Sequence, residues 1–350
     1  MSSATIQSKF DDLTRPGELV TPLGEGTLLC TACGHLCKLR PGQRGICKVR
    51  YNADGVLRVP CNYVSGLHND PIEKKPFFHV LPGSLCMSFG MLGCDFHCAY
   101  CQNWFTSQSL RDEAATQETT LVTAKEICDL AQGKGAKSVV STYNEPLITS
   151  EWAVEVFREA RARGLLTGYV SNGHGTPEVI EYLSPWVDLY KIDLKSFSEK
   201  NYRRLGGNLT AVLDTIRRVH AAGMWTEIVT LVIPRYNDTD AELGQMAEFI
   251  ASVSVDIPWH VTGFHPDYKM TDHELTPVST LVRARQIGQR AGLKFVYSGN
   301  RPGMTESAEN TICPACDAIL IERIGFRVLV NRMTSGQCSQ CGVSLPGRWC

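Results

Sequence analysis

The sequence lacks net charge, long apolar runs, internal repeats and low-complexity tracts, and each absence removes a class of protein. Its 35 Lys and Arg stand against 36 Asp and Glu, a formal charge of −1. That balance removes the electrostatic footprint of a dedicated nucleic-acid binder. No apolar stretch approaches the roughly 18 residues of a membrane span, so no membrane partner is expected. The start, Met1–Leu13, has no apolar core of the kind a signal peptide carries, and a cytoplasmic location is expected. Cysteine is too thin for a disulfide scaffold: 15 in 350 residues is about 4%, against roughly 8–10% in such chains.

The apolar content of 43% is that of a globular chain with a sizeable core. The cysteines are clustered. Cys30, Cys33, Cys37 and Cys47 form one group, Cys94, Cys98 and Cys101 a second, and Cys313, Cys316, Cys338 and Cys341 a third. In a reducing compartment such clusters point to metal or catalysis. Cys61, Cys86, Cys128 and Cys350 stand apart and read as small buried hydrophobes.

The groups divide the chain into a Gly- and Pro-rich segment over 1–83, a strand–helix alternation over 84–302 and a short tail over 303–350. Apolar runs predict strands at Leu85–Met91, Ser138–Tyr143, Thr167–Ser171, Val187–Asp193, Glu227–Ile233, His260–Phe264 and Lys294–Tyr297. Helical periodicity appears at Thr123–Gln132, Ile148–Arg163, Leu209–Ala222, Asp240–Val253 and Val278–Gly292. Thr123 with Glu126 forms a capping box, and Asp240 is the expected N-cap of its helix. Repeated strand–helix units imply parallel strands with crossover helices. The length fits a partial barrel of about six units better than a full barrel, which needs ~250 residues. The pattern alone leaves an open doubly wound sheet as the alternative.

Cys94-x3-Cys98-x2-Cys101 follows the first of these strands on a loop. Three thiolates can ligate three irons of a 4Fe–4S cluster, whose usual complement is four cysteines, so one iron stays open. The bland readings are a zinc site with a distant fourth ligand, or unrelated buried thiols. The spacing, with Tyr100 before the last cysteine, resembles the radical S-adenosylmethionine (radical SAM) superfamily. Within it the chain looks like the pyruvate formate-lyase activating enzyme group. It is closer still to the radical enzymes of the AmmeMemoRadiSam system, on Asp70-Pro71-Ile72-Glu73-Lys74-Lys75-Pro76, Cys101-Gln102-Asn103-Trp104 and Pro346-Gly347-Arg348-Trp349.

This resemblance implies an α/β fold, a partial (β/α)6 TIM-like barrel of radical SAM type flanked by small cysteine-rich metal-binding modules. It implies a 4Fe–4S cluster on Cys94, Cys98 and Cys101, with S-adenosylmethionine on the open iron. Tyr100, Gln102 and Asn103 then lie beside the cofactor site. Glu145 and Pro146 match the group's Gly-Gly-Glu-Pro motif, with Tyr143-Asn144 in place of the glycines. Glu145 would meet the ligand's ammonium, with Asn144 beside it. Asn172 matches the Thr-Asn-Gly strand end. Asp193 and Lys195, in Asp-Leu-Lys, would sit beside the ribose or carboxylate. Ile233 would lie by the adenine, and His265 by the ribose or adenine. Against these stand an Asn-Gly turn, a surface salt bridge and a satisfied loop histidine. Asp70–Pro76 reads as a solvated charge run.

The two CxxC pairs, Cys313/Cys316 and Cys338/Cys341, with 21 residues between them, read as a zinc ribbon around a small hairpin. Rubredoxin-like iron or an auxiliary cluster is the alternative. For Cys30, Cys33, Cys37 and Cys47, zinc and an auxiliary 4Fe–4S cluster weigh equally. The expected activity is reductive cleavage of S-adenosylmethionine and hydrogen abstraction from a small molecule or a protein. A low-potential donor such as flavodoxin or ferredoxin is implied, and a Memo-like or AMMECR1-like protein is a candidate partner. Activation of a glycyl radical enzyme is the second reading, and binding or sensing without turnover the third.

Overall fold

In the computed structural model, residues 10–305 and 307–349 are described; the first nine residues, Glu306 and Cys350 lie outside them. Contacts divide the chain into two compact units. The first holds Met1–Asn69, Cys86–Tyr190 and Tyr202–Met224; the second holds Asp70–Leu85, Lys191–Asn201 and Trp225–Cys350.

The largest sheet has eight strands: β1 (Gly66–Pro71), β2 (Leu85–Gly90), β3 (Ala136–Ser141), β4 (Leu166–Ser171), β5 (Leu189–Asp193), β6 (Trp225–Val232), β7 (Trp259–Gly263) and β8 (Val296–Gly299). Its order follows the chain without a reversal. A doubly wound sheet reverses its order at a switch point, so this is the wall of a partial barrel. In the first unit β3 and β4 run parallel, with Val139 opposite Thr167. In the second, β6, β7 and β8 run parallel, with Val229 opposite His260 and Val261 opposite Ser298.

The connecting helices are α1 (Ala124–Gly133), α2 (Ser150–Ala162), α3 (Pro177–Leu183), α4 (Glu199–Leu205), α5 (Leu209–Ala221), α6 (Asp240–Val253) and α7 (Val278–Arg290). Thr123 and Glu126 close the expected capping box on α1. The cap of α6 is Thr239, not Asp240: its hydroxyl accepts from the Glu242 N–H, while Asp240 already lies in the first turn. Helices α3 and α4 carry no usable periodicity, since seven residues make two turns. Thr176 caps α3, and Pro177 occupies its first position, where no N–H is needed.

In the first unit the N-terminal segment forms two small antiparallel sheets, Val20–Gly24 with Thr27–Cys30 and Lys38–Leu39, and Thr14–Pro16 with Val56–Pro60 and Tyr51–Ala53. Arg50 anchors this segment. Its Nη1 and Nη2 each donate to Glu151 of α2 at 2.7 Å, and both side chains are almost fully buried. Cys61, Cys86 and Cys128 are buried, as expected of isolated thiols.

In the second unit Asp70–Pro76 is not a solvated charge run. Ile72–Lys74 form a single 3-10 turn, and Ile72, Glu73 and Lys75 are buried. Glu73 accepts from the Gly83 N–H and lies 3.5 Å from the buried Arg323. Only Lys74 of the charged residues reaches well into solvent. The last strands, β9 (Thr311–Ile312), β10 (Ile319–Ile324) and β11 (Arg327–Asn331), make an antiparallel sheet. Leu320, Ile321, Cys313, Cys338 and Leu345 share one core cluster with Phe78, Phe295 and Tyr297. The Pro346–Trp349 segment is structural. Arg348 exchanges backbone hydrogen bonds with His79 and Leu81, at 2.8 Å each. Among the described residues, no helix is long and apolar enough to cross a membrane.

Candidate functional site

The cysteine loop begins where β2 ends. Gly93, at φ +90°, turns the chain into Cys94 in the left-handed region that glycine tolerates. The backbone N–H of Phe96 donates to Cys94 Sγ at 3.4 Å, and Cys101 Sγ lies 3.2 Å from Ser107 Oγ. Ser107 comes from the single helical turn Trp104–Ser107 that closes the loop. Cys98 is buried, and Cys94 and Cys101 are partly exposed. Burial pushes the Cys94 thiol well up, and Asp95, Glu145 and Cys98 push it further. Such a thiol becomes an anion when a metal takes it. Tyr100 is buried, while Gln102 and Asn103 are exposed.

Glu145 sits at the end of the β3 loop and is buried. Its Oε1 accepts from Ser171 Oγ at 2.7 Å and from the Leu147 N–H at 3.0 Å, and its Oε2 from the Asn172 N–H at 2.7 Å. Burial and the neighbouring Asp95 nonetheless raise its pKa. A cation brought to this carboxylate would relieve that cost. Asn144 is directed inward, its Oδ1 accepting from the Met91 N–H at 3.1 Å.

Tyr143 stands where the activating enzymes carry glycine, and it keeps a glycine-like backbone at φ +73°. A non-glycine residue there costs on the order of 1 kcal/mol. The ring offsets it by packing on Gly66 and Gly90, with its hydroxyl 2.8 Å from Ser88 Oγ. A Cβ on Gly90 would lie 2.3 Å from the Thr142 carbonyl oxygen, so this loop and β2 meet backbone to backbone.

Asn172 does not present a free amide. Its Nδ2 donates to Asp95 Oδ1 at 2.7 Å, and its Oδ1 accepts from the His174 N–H at 2.8 Å. Asp95 Oδ2 lies 3.0 Å from His174 Nδ1, and Asn208 Nδ2 lies 3.1 Å from His174 Nε2. The Asn208 Oδ1 is already spent on the Ala211 N–H, as the cap of α5. Asn208 therefore donates through its amide to Nε2, and Nδ1 carries the proton given to Asp95. Although burial opposes it, these donors hold the Asp95 carboxyl low. Sequence reasoning missed Asp95, Ser171 and His174, which lie within two residues of recognised motif positions but in no pattern of their own.

In the second unit, Asp193 at the end of β5 pairs with both Lys191 and Lys195, the latter at 2.9 Å. Alternation along the strand brings all three to one side. Although burial opposes it, the two ammonium groups hold the Asp193 carboxyl down at about 2. Ile233 is fully buried, and its backbone N–H goes to Asn237 Oδ1 at 2.7 Å. His265 is exposed, with Nδ1 3.3 Å from the Pro266 carbonyl oxygen.

The cysteine groups differ in geometry. Among the described residues, two groups bring one ligand atom each to within 4.8 Å of one another: Cys313/Cys316/Cys338/Cys341 and Cys33/Asp95/His174. In the first, Cys313 and Cys341, and Cys316 and Cys338, have sulfurs 3.7 Å apart. A single ion with Zn–S bonds of ~2.3 Å at a tetrahedral centre needs edges of about 3.8 Å. The N–H groups of Gln340 and Cys341 also point at Cys338 Sγ, at 3.4 and 3.5 Å. Among the described residues, neither Cys94, Cys98 and Cys101 nor the N-terminal four are gathered this tightly. That suits a cubane, which spreads its thiolates over separate irons.

Comparisons with known proteins give the family and several relatives. The Radical SAM superfamily model matches residues 90–250, which contain the cysteine loop. An uncharacterized protein of Methanocaldococcus jannaschii, MJ0808, is 36% identical over 324 residues, 91% of this chain and 95% of its own length. The isethionate sulfite-lyase activating enzyme of Oleidesulfovibrio alaskensis is 25% identical over 149 residues, 41% of this chain and 48% of that one. A solved domain of a pyruvate-formate lyase-activating enzyme from Bacteroides vulgatus covers 47% of this chain and 100% of its own, at 20% identity and TM-score 0.42. With three cysteines at cluster spacing on the loop after β2, a family model that matches residues 90–250 and a relative 36% identical along nearly the whole chain, the protein is an enzyme and belongs to the radical SAM superfamily.

Proposed function

We propose that the enzyme abstracts a hydrogen atom from a small molecule or from a side chain of a partner protein, within a system of the AmmeMemoRadiSam type. The observation that carries this is the cysteine loop with the buried Glu145 carboxylate at the next strand end. Cys94, Cys98 and Cys101 would hold the 4Fe–4S cluster. Bound together, cluster and S-adenosylmethionine supply a 5′-deoxyadenosyl radical on one-electron reduction. The chain's own residues bind and orient. Glu145 takes the ligand's ammonium, with its other lone pairs fixed by Ser171, Leu147 and Asn172. Asn172 acts by holding Asp95 and Glu145 in place. Tyr100, Gln102, Asn103 and Asn144 would lie beside the cofactor. Asp193 and Lys195 would present one acceptor and one cation to the ligand's ribose and carboxylate. Ile233 would lie by the adenine, and His265 by the ribose or adenine.

The three sequence segments, 1–83, 84–302 and 303–350, would serve as flank, catalytic body and metal-binding tail. The spacing of 3.7 Å supports zinc at Cys313, Cys316, Cys338 and Cys341. A low-potential flavodoxin or ferredoxin in the cytoplasm would supply the electron. A Memo-like or AMMECR1-like protein is the candidate partner. Likeness to the isethionate sulfite-lyase activating enzyme favours a second reading, formation of a glycyl radical on a partner enzyme.

The test is anaerobic. The protein is reconstituted with iron and sulfide, reduced with dithionite, and assayed for 5′-deoxyadenosine beside a Cys98→Ala variant. Product from the parent alone is expected. A reducible cluster with no product, even with candidate partners added, would overturn the reading. A stable radical on an added partner enzyme would select the second.

A further inference from the structure

We propose that Cys30, Cys33, Cys37 and Cys47 hold a second 4Fe–4S cluster, and that Arg50 donates a hydrogen bond to its Cys30 sulfur. The site does not depend on the substrate proposed above.

Three of the four thiols, Cys30, Cys33 and Cys47, are only 6% exposed, and none of the four is in a disulfide. They face a common space. A Cβ on Gly45 would sit 3.6 Å from Cys37 Sγ and 3.7 Å from Cys47 Sγ, so two sulfurs flank one bare stretch of backbone. Yet the four sulfurs are not drawn within 4.8 Å of one another, as the C-terminal four are. As placed, the four are spread more widely than the ~3.8 Å edges that one tetrahedral ion with Zn–S bonds of ~2.3 Å would need. The catalytic three, which take a cluster by family, show the same looser spacing.

Cys33 also lies near Asp95 and His174, and these three atoms could be read as a mixed metal site. The hydrogen bonds argue otherwise. Asn208 and Asp95 occupy the two nitrogens of His174, and Asn172 and His174 occupy the two oxygens of Asp95. Gly34 fixes the imidazole from the other side, since a Cβ there would fall 2.7 Å from Nε2. The ligands left for Cys33 to join are the cysteines.

Arg50 completes the site. Two of its three nitrogens, Nη1 and Nη2, donate to Glu151, Nη1 also to the Ile148 carbonyl oxygen, and the remaining one, Nε, donates to Cys30 Sγ at 3.2 Å. An N–H···S bond withdraws density from a cluster sulfur and raises the reduction potential. The site also abuts the catalytic loop within the first unit. A Cβ on Gly93 would lie 3.0 Å from the Cys47 carbonyl oxygen, and His35 Nε2 is 3.1 Å from the Asp95 carbonyl oxygen.

The experiment uses the full chain with Cys94, Cys98 and Cys101 all replaced by Ala. After anaerobic reconstitution this variant is expected to hold about four irons and four sulfides, and the parent about twice that. On reduction it should give the electron paramagnetic resonance signal of a single cluster. The converse variant, Cys33→Ser with Cys47→Ser, should fall from about eight irons to about four. Arg50→Lys keeps a cation opposite Glu151 but loses the Nε donor, and should lower the potential of the cluster left in the triple variant. Iron without sulfide, zinc in its place, or no metal in a triple variant with parent-like circular dichroism would overturn the proposal. So would a converse variant that keeps all of the parent's iron. Failure of the radical reading would look different: both clusters present, and no 5′-deoxyadenosine.

Discussion

The N-terminal and C-terminal cysteine groups each contain four thiols, yet they differ in geometry. The C-terminal four lie on two knuckles at the ends of a small sheet, with sulfurs 3.7 Å apart and backbone N–H groups aimed at Cys338. An ion there would close a structure whose own core is small. The N-terminal four are looser and more deeply buried, and they are served by a guanidinium rather than by backbone alone. Equal ligand number therefore says little about the metal; the separation of the sulfurs and the groups behind them say more.

The comparison can be broken most decisively at the C-terminal site. Cys313→Ala or Cys338→Ala should abolish zinc binding, since structural zinc contributes on the order of 10 kcal/mol. Limited proteolysis should then cut within 311–349 while leaving the first unit intact. If zinc content is unchanged, or if that site fills with iron and sulfide, the contrast between the groups fails. The next largest effect is at Arg50. Arg50→Ala leaves Glu151 buried without its partner and should cost ~3–5 kcal/mol in urea unfolding. A loss below 1 kcal/mol would mean that the buried pair does not anchor the N-terminal segment.

The third effect is one of pH and belongs to the second unit. His79 is fully buried, its Nδ1 2.7 Å from the Pro346 carbonyl oxygen and its Nε2 2.7 Å from the Tyr297 hydroxyl. Burial pushes its imidazole down to about 4, against the opposing pull of Glu227, with Arg323 and His260 adding to the fall. The unfolded chain takes up that proton near pH 6.5. Stability present above pH 6.5 is therefore lost as pH falls toward 4, by about 3 kcal/mol from this group. Denaturant midpoints at pH 7 and pH 4.5 should show the loss, and His79→Gln should flatten the profile. The smallest effect calibrates the rest. Thr239→Ala should cost ~1 kcal/mol as a lost cap, and Asp240→Ala only a few tenths. Equal costs would restore Asp240 as the cap.

Most of the barrel was legible because its strands are apolar runs bounded by turn residues, as at Ala136–Ser141 and Leu166–Ser171. The same runs could not choose between barrel and open sheet, because strand order is not a local property. Asp70–Pro76 was misread for a related reason. What buries Glu73 is Arg323, and no window of sequence contains both. At Tyr143 the loss of glycine was visible, but not that the tyrosine would keep a left-handed backbone by seating its ring on Gly66 and Gly90. Asn172 stood out as a ligand residue from its motif. Its amide is spent on Asp95 because His174, two residues on, turns the loop inward.

The pairing of Arg348 with His79 and Leu81 has a consequence for synthesis. Pro346 and His79, whose contact belongs to this pairing, are 267 positions apart. At 5–20 residues per second, the early segment waits roughly 15–50 s before its closing strand exists. During that interval Phe78 and its neighbours have no permanent cover. The second unit should be the chaperone-dependent part of the nascent chain, and the part most readily lost to aggregation when translation stalls late.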